Sequence, residues 1–305
     1  DKYPEIRAKA RKQFGGIGLF EAPDANALDV THEERTAEYT KRWDNSASPQ
    51  EFGSSYKDIR INMEANATAA DFVRGKIREI VEDPAVADML VPEDPIWCKR
   101  LCVDTNYFQT YNRDNVTLVD IKKAPIKSLV KNGLETSEDI YDLDVIVFSI
   151  GFDALTGALN AVDIEGKNGI KLKEKWSDGP ITYLGLAING FPNLFTITGP
   201  GSPSVLSNMM TSIEQHVDWV TECIKHMVDS GNVEIEASNN AEIEWTDHVD
   251  ETASKTVGYG CNSWYVGANV PGKKIVYMPY IGGVGTYREK CDEIALLGYK
   301  GFHLS

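Results

Sequence analysis

The stretch that most constrains the fold is Val145–Ile150, a run of valine, isoleucine and phenylalanine broken only by Ser149 and followed by Gly151. Such a run suits a strand covered on both faces, as in a parallel sheet of an α/β fold; a strand with one wet face would alternate instead. A glycine at its end permits a sharp exit or a close backbone approach. "VTLVDI" (116–121) and "IKSLVKNGLET" (126–136) are also β-rich, and Asn132-Gly133 predicts a tight hairpin turn inside the second.

"FPNLFTIT" (191–198) reads as a further strand and "GPGSPSV" (199–205) as a loop. A helix follows, with Ile213, Val217, Val220, Ile224 and Val228 on one stripe, Thr211 and Glu214 as a capping box, and Gly231 just past the end. The first hundred residues are helical in pattern. Phe72, Val73, Ile77, Ile80 and Val81 recur at helical spacing until Asp83-Pro84. Thr31 with Glu34 is a second capping-box pattern, and Tyr39 and Trp43 stand four apart on one helix face.

A strand, a glycine-rich loop and a helix N-terminus make a place for a negatively polarised group, because free backbone N–H groups and the positive end of the helix dipole point the same way. The loop is not a dinucleotide fingerprint. Gly199 and Gly201 have the first spacing of GxGxxG, but Ser204 stands at the third position and Pro200 and Pro203 intervene. No intact GxGxxG occurs in the chain, so spacing alone favours a structural loop. Lys99 and Arg100 raise a different question, because they stand together ahead of apolar and aromatic residues that would normally be buried. An exposed pair whose stems lie over apolar neighbours is the ordinary reading.

Composition narrows the partners. The 305 residues carry a net charge of −15 and a pI near 4.8, which argues against the basic footprint of a nucleic-acid or anionic-membrane binder. Small anions remain, where cations are concentrated locally. Cys98, Cys102, Cys223, Cys261 and Cys291 are scattered without CxxC spacing and read as reduced thiols of a cytosolic protein. The histidines lack HxxxH or HExxH spacing, so no metal site is expected. With no initiator Met, no apolar signal core and no membrane-length run, the chain reads as a cytoplasmic protein that begins in mid-sequence.

Four ordered segments carry a family resemblance: "CKRLCVDTNYFQTYNRDNVTLVD", "DVIVFSIGFDALTG", "FPNLFTITGPGSPSVLSNM" and "NSWYVGANVPGKKIVYMPYIGGVGTYREKCDEIALLGYKGF". Together they resemble the C-terminal half of flavin-dependent, class B type I Baeyer–Villiger monooxygenases, nearest to the phenylacetone, cyclohexanone and steroid types. The resemblance implies part of an α/β flavoprotein with two dinucleotide-binding domains, for FAD and NADP, and a helical insertion. Residues 1–97 then correspond to the helical subdomain inserted in the NADP domain, 98–150 to the C-terminal segment of that domain, and 151–305 to the C-terminal part of the FAD domain. The family's two GxGxxG motifs and its fingerprint with His and Trp are absent. An N-terminal half, on the same or a separate chain, is the implied partner. Ser149-Ile150-Gly151 departs from the family's usual Ala-Thr-Gly and removes the threonine hydroxyl.

The implied reaction is NADPH- and O2-dependent conversion of a ketone to an ester or lactone through a flavin C4a-peroxide. Lys99 matches the lysine that contacts the 2′-phosphate of NADPH. Arg100 matches the arginine beside the flavin that stabilises the peroxide anion and positions the nicotinamide, and is the implied catalytic residue. Ser204, Val205, Leu206 and Met209 match the loop lining the ketone pocket beside the flavin ring, with Met209 opening the helix that faces the cofactor. Trp264 and Tyr265 match a mobile loop whose Trp closes over NADP, with Tyr265 on the substrate side; Asp153 matches a cofactor-side position or is a turn residue only. Leu206 and Met209 as plain core residues, and Trp264 as an interface aromatic, remain open. So do two other functions: an N-hydroxylating or other class B flavin monooxygenase, and a non-catalytic fragment that acts only as a packing partner.

Overall fold

In this computed structural model, which describes residues 2–17, 23–45 and 48–305, the chain divides into two units. One is Asp24–Gly151; the other joins Asp1–Pro23 to Phe152–Ser305. The first helix, α1 (Tyr3–Ala10), belongs to the latter.

The Asp24–Gly151 unit is built on α2 (His32–Asn45) and α3 (Met63–Ile80). The expected box starts α2: Thr31 N–H donates to the Glu34 carboxylate at 2.9 Å, and Glu34 N–H donates to Thr31 Oγ1 at 3.2 Å. Asn62 caps α3, which stops before Asp83, the cap of α4 (Pro84–Leu90). Small residues on α3 (Ala65, Ala69, Ala70) let Tyr39, Phe52, Tyr56 and Ile59 close over them, with Trp43, Phe72 and Val73 partly buried alongside. Ile77 and Val81 pack instead with Ala87. Asn66, buried in α3, donates to the carbonyls of Ile59 and Ile96 at 2.8 Å each and accepts from Ile96 N–H at 3.0 Å. A buried amide fully paired in this way fixes the return of the chain at Ile96.

The expected hairpin forms. β1 (Ile126–Val130), β2 (Gly133–Thr136) and β3 (Ile140–Asp142) make an antiparallel meander in which Val130 pairs with Gly133. Only glycine fits at 133, since a Cβ there would lie 1.8 Å from Tyr141 O. Two expected strands do not form. Val116–Ile121 is irregular, and Val145–Ile150 has no ladder partner, with Val145, Val147, Phe148 and Ile150 between 67% and 83% exposed. A both-faces-covered strand needs neighbouring strands and covering helices, and among the described residues every strand pairing is antiparallel and none involves this run. The protein is a mixed helix-and-sheet one in which the Val145–Ile150 run is unpaired among the described residues.

In the other unit, α5 (Met209–Ser230) and α7 (Val284–Leu296) enclose Trp219, Cys223, Tyr287 and Cys291. α6 (Asn239–Ser254) adds Trp245 and Val249, and the 183–187 turn adds Leu184 and Leu186. β4 (Ile235–Ala237) pairs antiparallel with β5 (Phe302–Leu304). "FPNLFTIT" is a turn rather than a strand: Phe191 is buried, and Thr196 N–H bonds back to Leu186 O at 2.8 Å. Gly231 closes α5 in the left-handed conformation, as expected.

The start and face of α5 differ from expectation. Asn208, not Thr211, is the cap; Thr211 Oγ1 donates to Gly16 O at 3.0 Å, and Glu214 pairs with Arg7 and Arg11 of the α1 region. The buried face is Ser212, Gln215, His216, Trp219, Cys223 and Met227, whereas Val217, Ile224 and Val228 lie outward and exposed. The larger rings of Trp219 and His216 fill the space against Tyr299 and Tyr287, which the slimmer aliphatic stripe would leave empty. Cys102 is an exposed free thiol, and Cys223 and Cys291 are buried ones. Among the described residues no helix is long and apolar enough to cross a membrane.

Candidate functional site

Trp97 sets the position of the cation pair. Its backbone lies in the left-handed region (φ 75), an uncommon and strained place for a bulky residue. The strain is held by packing: the indole N–H donates to Gly53 O at 2.8 Å, and the Arg60 guanidinium sits 3.8 Å from the ring centroid. Cys98 is buried, and Lys99 and Arg100 emerge exposed. Lys99 Nζ pairs with Asp94 Oδ2 at 2.7 Å, a partner already in place for a role the resemblance gives to a phosphate. The residues beyond are more open than their composition suggested, with Val103 68% and Tyr107 51% exposed.

The loop before α5 is shaped by its own neighbours. A Cβ on Gly199 would lie 2.5 Å from Thr196 Oγ1, and one on Gly201 2.7 Å from Thr182 Oγ1, so packing within the protein accounts for both glycines. Ser204 is buried with φ 40 and opens a single helical turn, Ser204–Leu206, closed by Ser207 N–H to Ser204 O at 3.1 Å. Val205 and Leu206 are half-buried, and Met209 and Met210 are exposed at the mouth of α5. Asn208 takes the Met210 N–H at 3.1 Å. Two thioethers and two half-buried aliphatic side chains thus lie together at the N-terminal end of α5.

Further along α5 lies His216, wholly buried, whose Nδ1 accepts from Thr198 N–H at 2.8 Å. Burial, reinforced by the Arg288 guanidinium, pushes its pKa down to about 4, so the ring is neutral at physiological pH. Nothing along the chain signals this contact, because it joins residues of a loop and a helix through tertiary packing.

Trp264 is half-buried and Tyr265 buried, their rings 4.3 Å apart. Tyr265 O accepts from Met278 N–H at 3.0 Å. Asp153 is brought to this segment: its carboxylate meets Lys273 Nζ, which also reaches Thr156 Oγ1 at 2.7 Å. The structure thus gathers Ser204, Val205, Leu206 and Met209 at one edge and joins Asp153 to the Trp264 segment, while Lys99 and Arg100 belong to the Asp24–Gly151 unit. Asp94, Trp97, His216 and Lys273 were not anticipated. Lys273 was within reach, since it directly follows Gly272 in the segment that begins at Asn262.

No protein-family model matches the chain. Cyclohexanone 1,2-monooxygenase of an Acinetobacter species is 39% identical over 279 residues, which are 91% of this chain and 51% of that protein. Oxidised steroid monooxygenase bound to NADP matches 99% of the chain with a TM-score of 0.91 and 44% identity, over 57% of its own length. Over its whole length the chain is similar to one half of the Baeyer–Villiger monooxygenases. A second structure of this kind, OTEMO in complex with FAD and NADP, matches the whole chain with a TM-score of 0.94 at 37% identity, over 56% of its own length. The chain spans about half the length of the curated relatives it matches. One relative differs in its named chemistry: a phenazine N-monooxygenase of Lysobacter antibioticus, 37% identical over 93% of this chain and 52% of that protein.

Proposed function

We propose that the chain contributes the cation pair and the ketone-side edge of an FAD- and NADPH-dependent Baeyer–Villiger monooxygenase, which uses O2 to convert ketones to esters or lactones. The observation that carries this reading is the end-to-end match to monooxygenase structures holding FAD and NADP. Residues 1–97 would form the helical insertion, 98–150 the end of the NADP domain and 151–305 the end of the FAD domain. The remaining half of such an enzyme, on the same or a separate chain, would supply the glycine-rich dinucleotide cradles that this sequence lacks.

Bound FAD would supply the oxygen activation and NADPH the reducing electrons. Arg100 would stabilise the negative charge that oxygen activation develops beside the flavin and would position the nicotinamide, because a guanidinium stays charged at every working pH and offers donors in a fixed fork. Lys99 would hold the 2′-phosphate once it leaves Asp94. Val205, Leu206 and Met209 would line the ketone side with apolar surface, and Ser204 would fix the turn that presents them. Trp264 would cover the nicotinamide cofactor; Tyr265, buried here, would reach substrate only if the segment lifts.

The phenazine relative favours one second reading, oxygen transfer to an aromatic nitrogen. The test is to supply the other half of the enzyme with FAD, add NADPH, and assay product from a cyclic ketone and from an N-heteroaromatic. Flavin absorbance bleached by NADPH, with ester or lactone formed, is the expected result. An N-oxide without ester would favour the second reading, and a preparation that stays colourless would leave only a packing partner.

A further inference from the structure

The segment carrying Trp264 and Tyr265 is held in place by side chains from its far end. From Ser263 to Lys273 the backbone is a chain of turns, with Val266 N–H to Ser263 O at 3.2 Å, Val270 N–H to Gly267 O at 3.1 Å and Lys273 N–H to Val270 O at 3.2 Å. Local turns fix the shape of a segment but not its position. Position at the near end comes from Met278 and Val276, whose N–H groups donate to Tyr265 O at 3.0 Å and Val266 O at 3.3 Å, and at the far end from two side chains that reach residues 152–156. Asn269 Nδ2 donates to Phe152 O at 2.8 Å. Lys273 Nζ meets the Asp153 carboxylate and donates to Thr156 Oγ1 at 2.7 Å and Ala154 O at 3.5 Å. The Lys273 stem lies against Gly267, where a Cβ would come within 2.9 Å of its Cδ. With only 16% of its side chain exposed, Lys273 is far more enclosed than an ordinary surface lysine.

We infer that Lys273 is a positioning residue: its ion pair with Asp153, seconded by Asn269, fastens the Trp264–Tyr265 segment to the 152–156 turn and sets how readily that segment lifts. Asp153 then acts through Lys273 rather than by touching a cofactor. The consequence for cofactor closure rests on the proposed function; the fastening itself does not. Since Asp153 is 39% exposed, the pair is open to screening and salt should loosen it.

Amide hydrogen exchange across 263–270 in the 305-residue chain tests this without any flavin. Lys273→Met keeps most of the stem and removes the charge, and exchange there should quicken by about five-fold or more while α5 and α7 are unchanged. Raising salt from about 0.05 to about 0.5 M should move the parent toward the variant. Lys273→Arg should stay slow, and exchanging the charges (Asp153→Lys with Lys273→Asp) should exchange more slowly than either single change. Parent-like exchange in Lys273→Met, or a charge-exchanged double variant no slower than its singles, would overturn the inference. Either result leaves the proposed function standing, and a colourless, inactive reconstituted enzyme would leave the fastening untouched.

Discussion

Thr198 N–H donates to His216 Nδ1 at 2.8 Å, which leaves the proton of this neutral, wholly buried imidazole on Nε2. Its pKa, brought down to about 4 by burial and Arg288, lies below the ordinary 6.5, so the unfolded chain takes up the proton first as pH falls. Stability should therefore be full above about pH 6.5, decline between about 6.5 and 4, and lose at most about 3 kcal/mol from this group. Urea midpoints at neutral and mildly acid pH, for the parent and for His216→Asn, provide the check. The variant should show the smaller acid loss, and equal losses would assign the pH dependence elsewhere.

Lys175 Nζ bonds the Glu242 carboxylate at 2.8 Å, where Glu242 is completely buried and also accepts from Asn189 N–H at 2.9 Å. Removing the cation strands a buried carboxylate. Lys175→Met should cost about 3–5 kcal/mol, and adding Glu242→Leu should recover a large part of that loss. Denaturant titration of the single and double variants decides it, and additive losses would mean that the two residues do not act as a pair.

Asp94 competes with any phosphate for Lys99. In the reconstituted enzyme, Lys99→Ala should weaken NADPH by about 1.5–3 kcal/mol and NADH far less, since only NADPH presents the additional phosphate. Asp94→Asn should act in the opposite direction and tighten NADPH. Competition binding with both cofactors is the measurement; equal effects on the two would remove Lys99 as the discriminator.

Arg100→Ala should leave flavin bound and reducible by NADPH while ester formation falls by about 10²–10³-fold or more. Arg100→Lys should not restore it, because a compact ammonium on another stem lacks the planar fork. The signature to measure is uncoupling, with NADPH consumed and hydrogen peroxide released without ester. Parent-like conversion of ketone by the alanine variant would return Arg100 to the surface pair it first resembled.

Short-range signals were legible in the sequence. The Thr31–Glu34 box, the hairpin at Asn132-Gly133 and the Gly231 terminator each depend on partners within a few residues, and each forms. Periodicity, in contrast, says that a face wants burial without saying what buries it. On α5 most of the aliphatic stripe (Val217, Ile224 and Val228) is exposed, while the Trp219 and His216 face is the one this chain covers. Lys273 and Asp153 stand 120 residues apart, and Trp97 owes its conformation to Gly53, so neither could be read along the chain. The family resemblance was legible because whole ordered segments carried it.

The bare Val145–Ile150 run makes concentration a variable of the fold. Its backbone donors and acceptors offer an open template to any extended segment. A complement on the same polypeptide would meet it at an effective concentration on the order of millimolar however dilute the sample, whereas a second copy arrives only in proportion to total protein. Dilution would thus favour closure within one polypeptide over self-association.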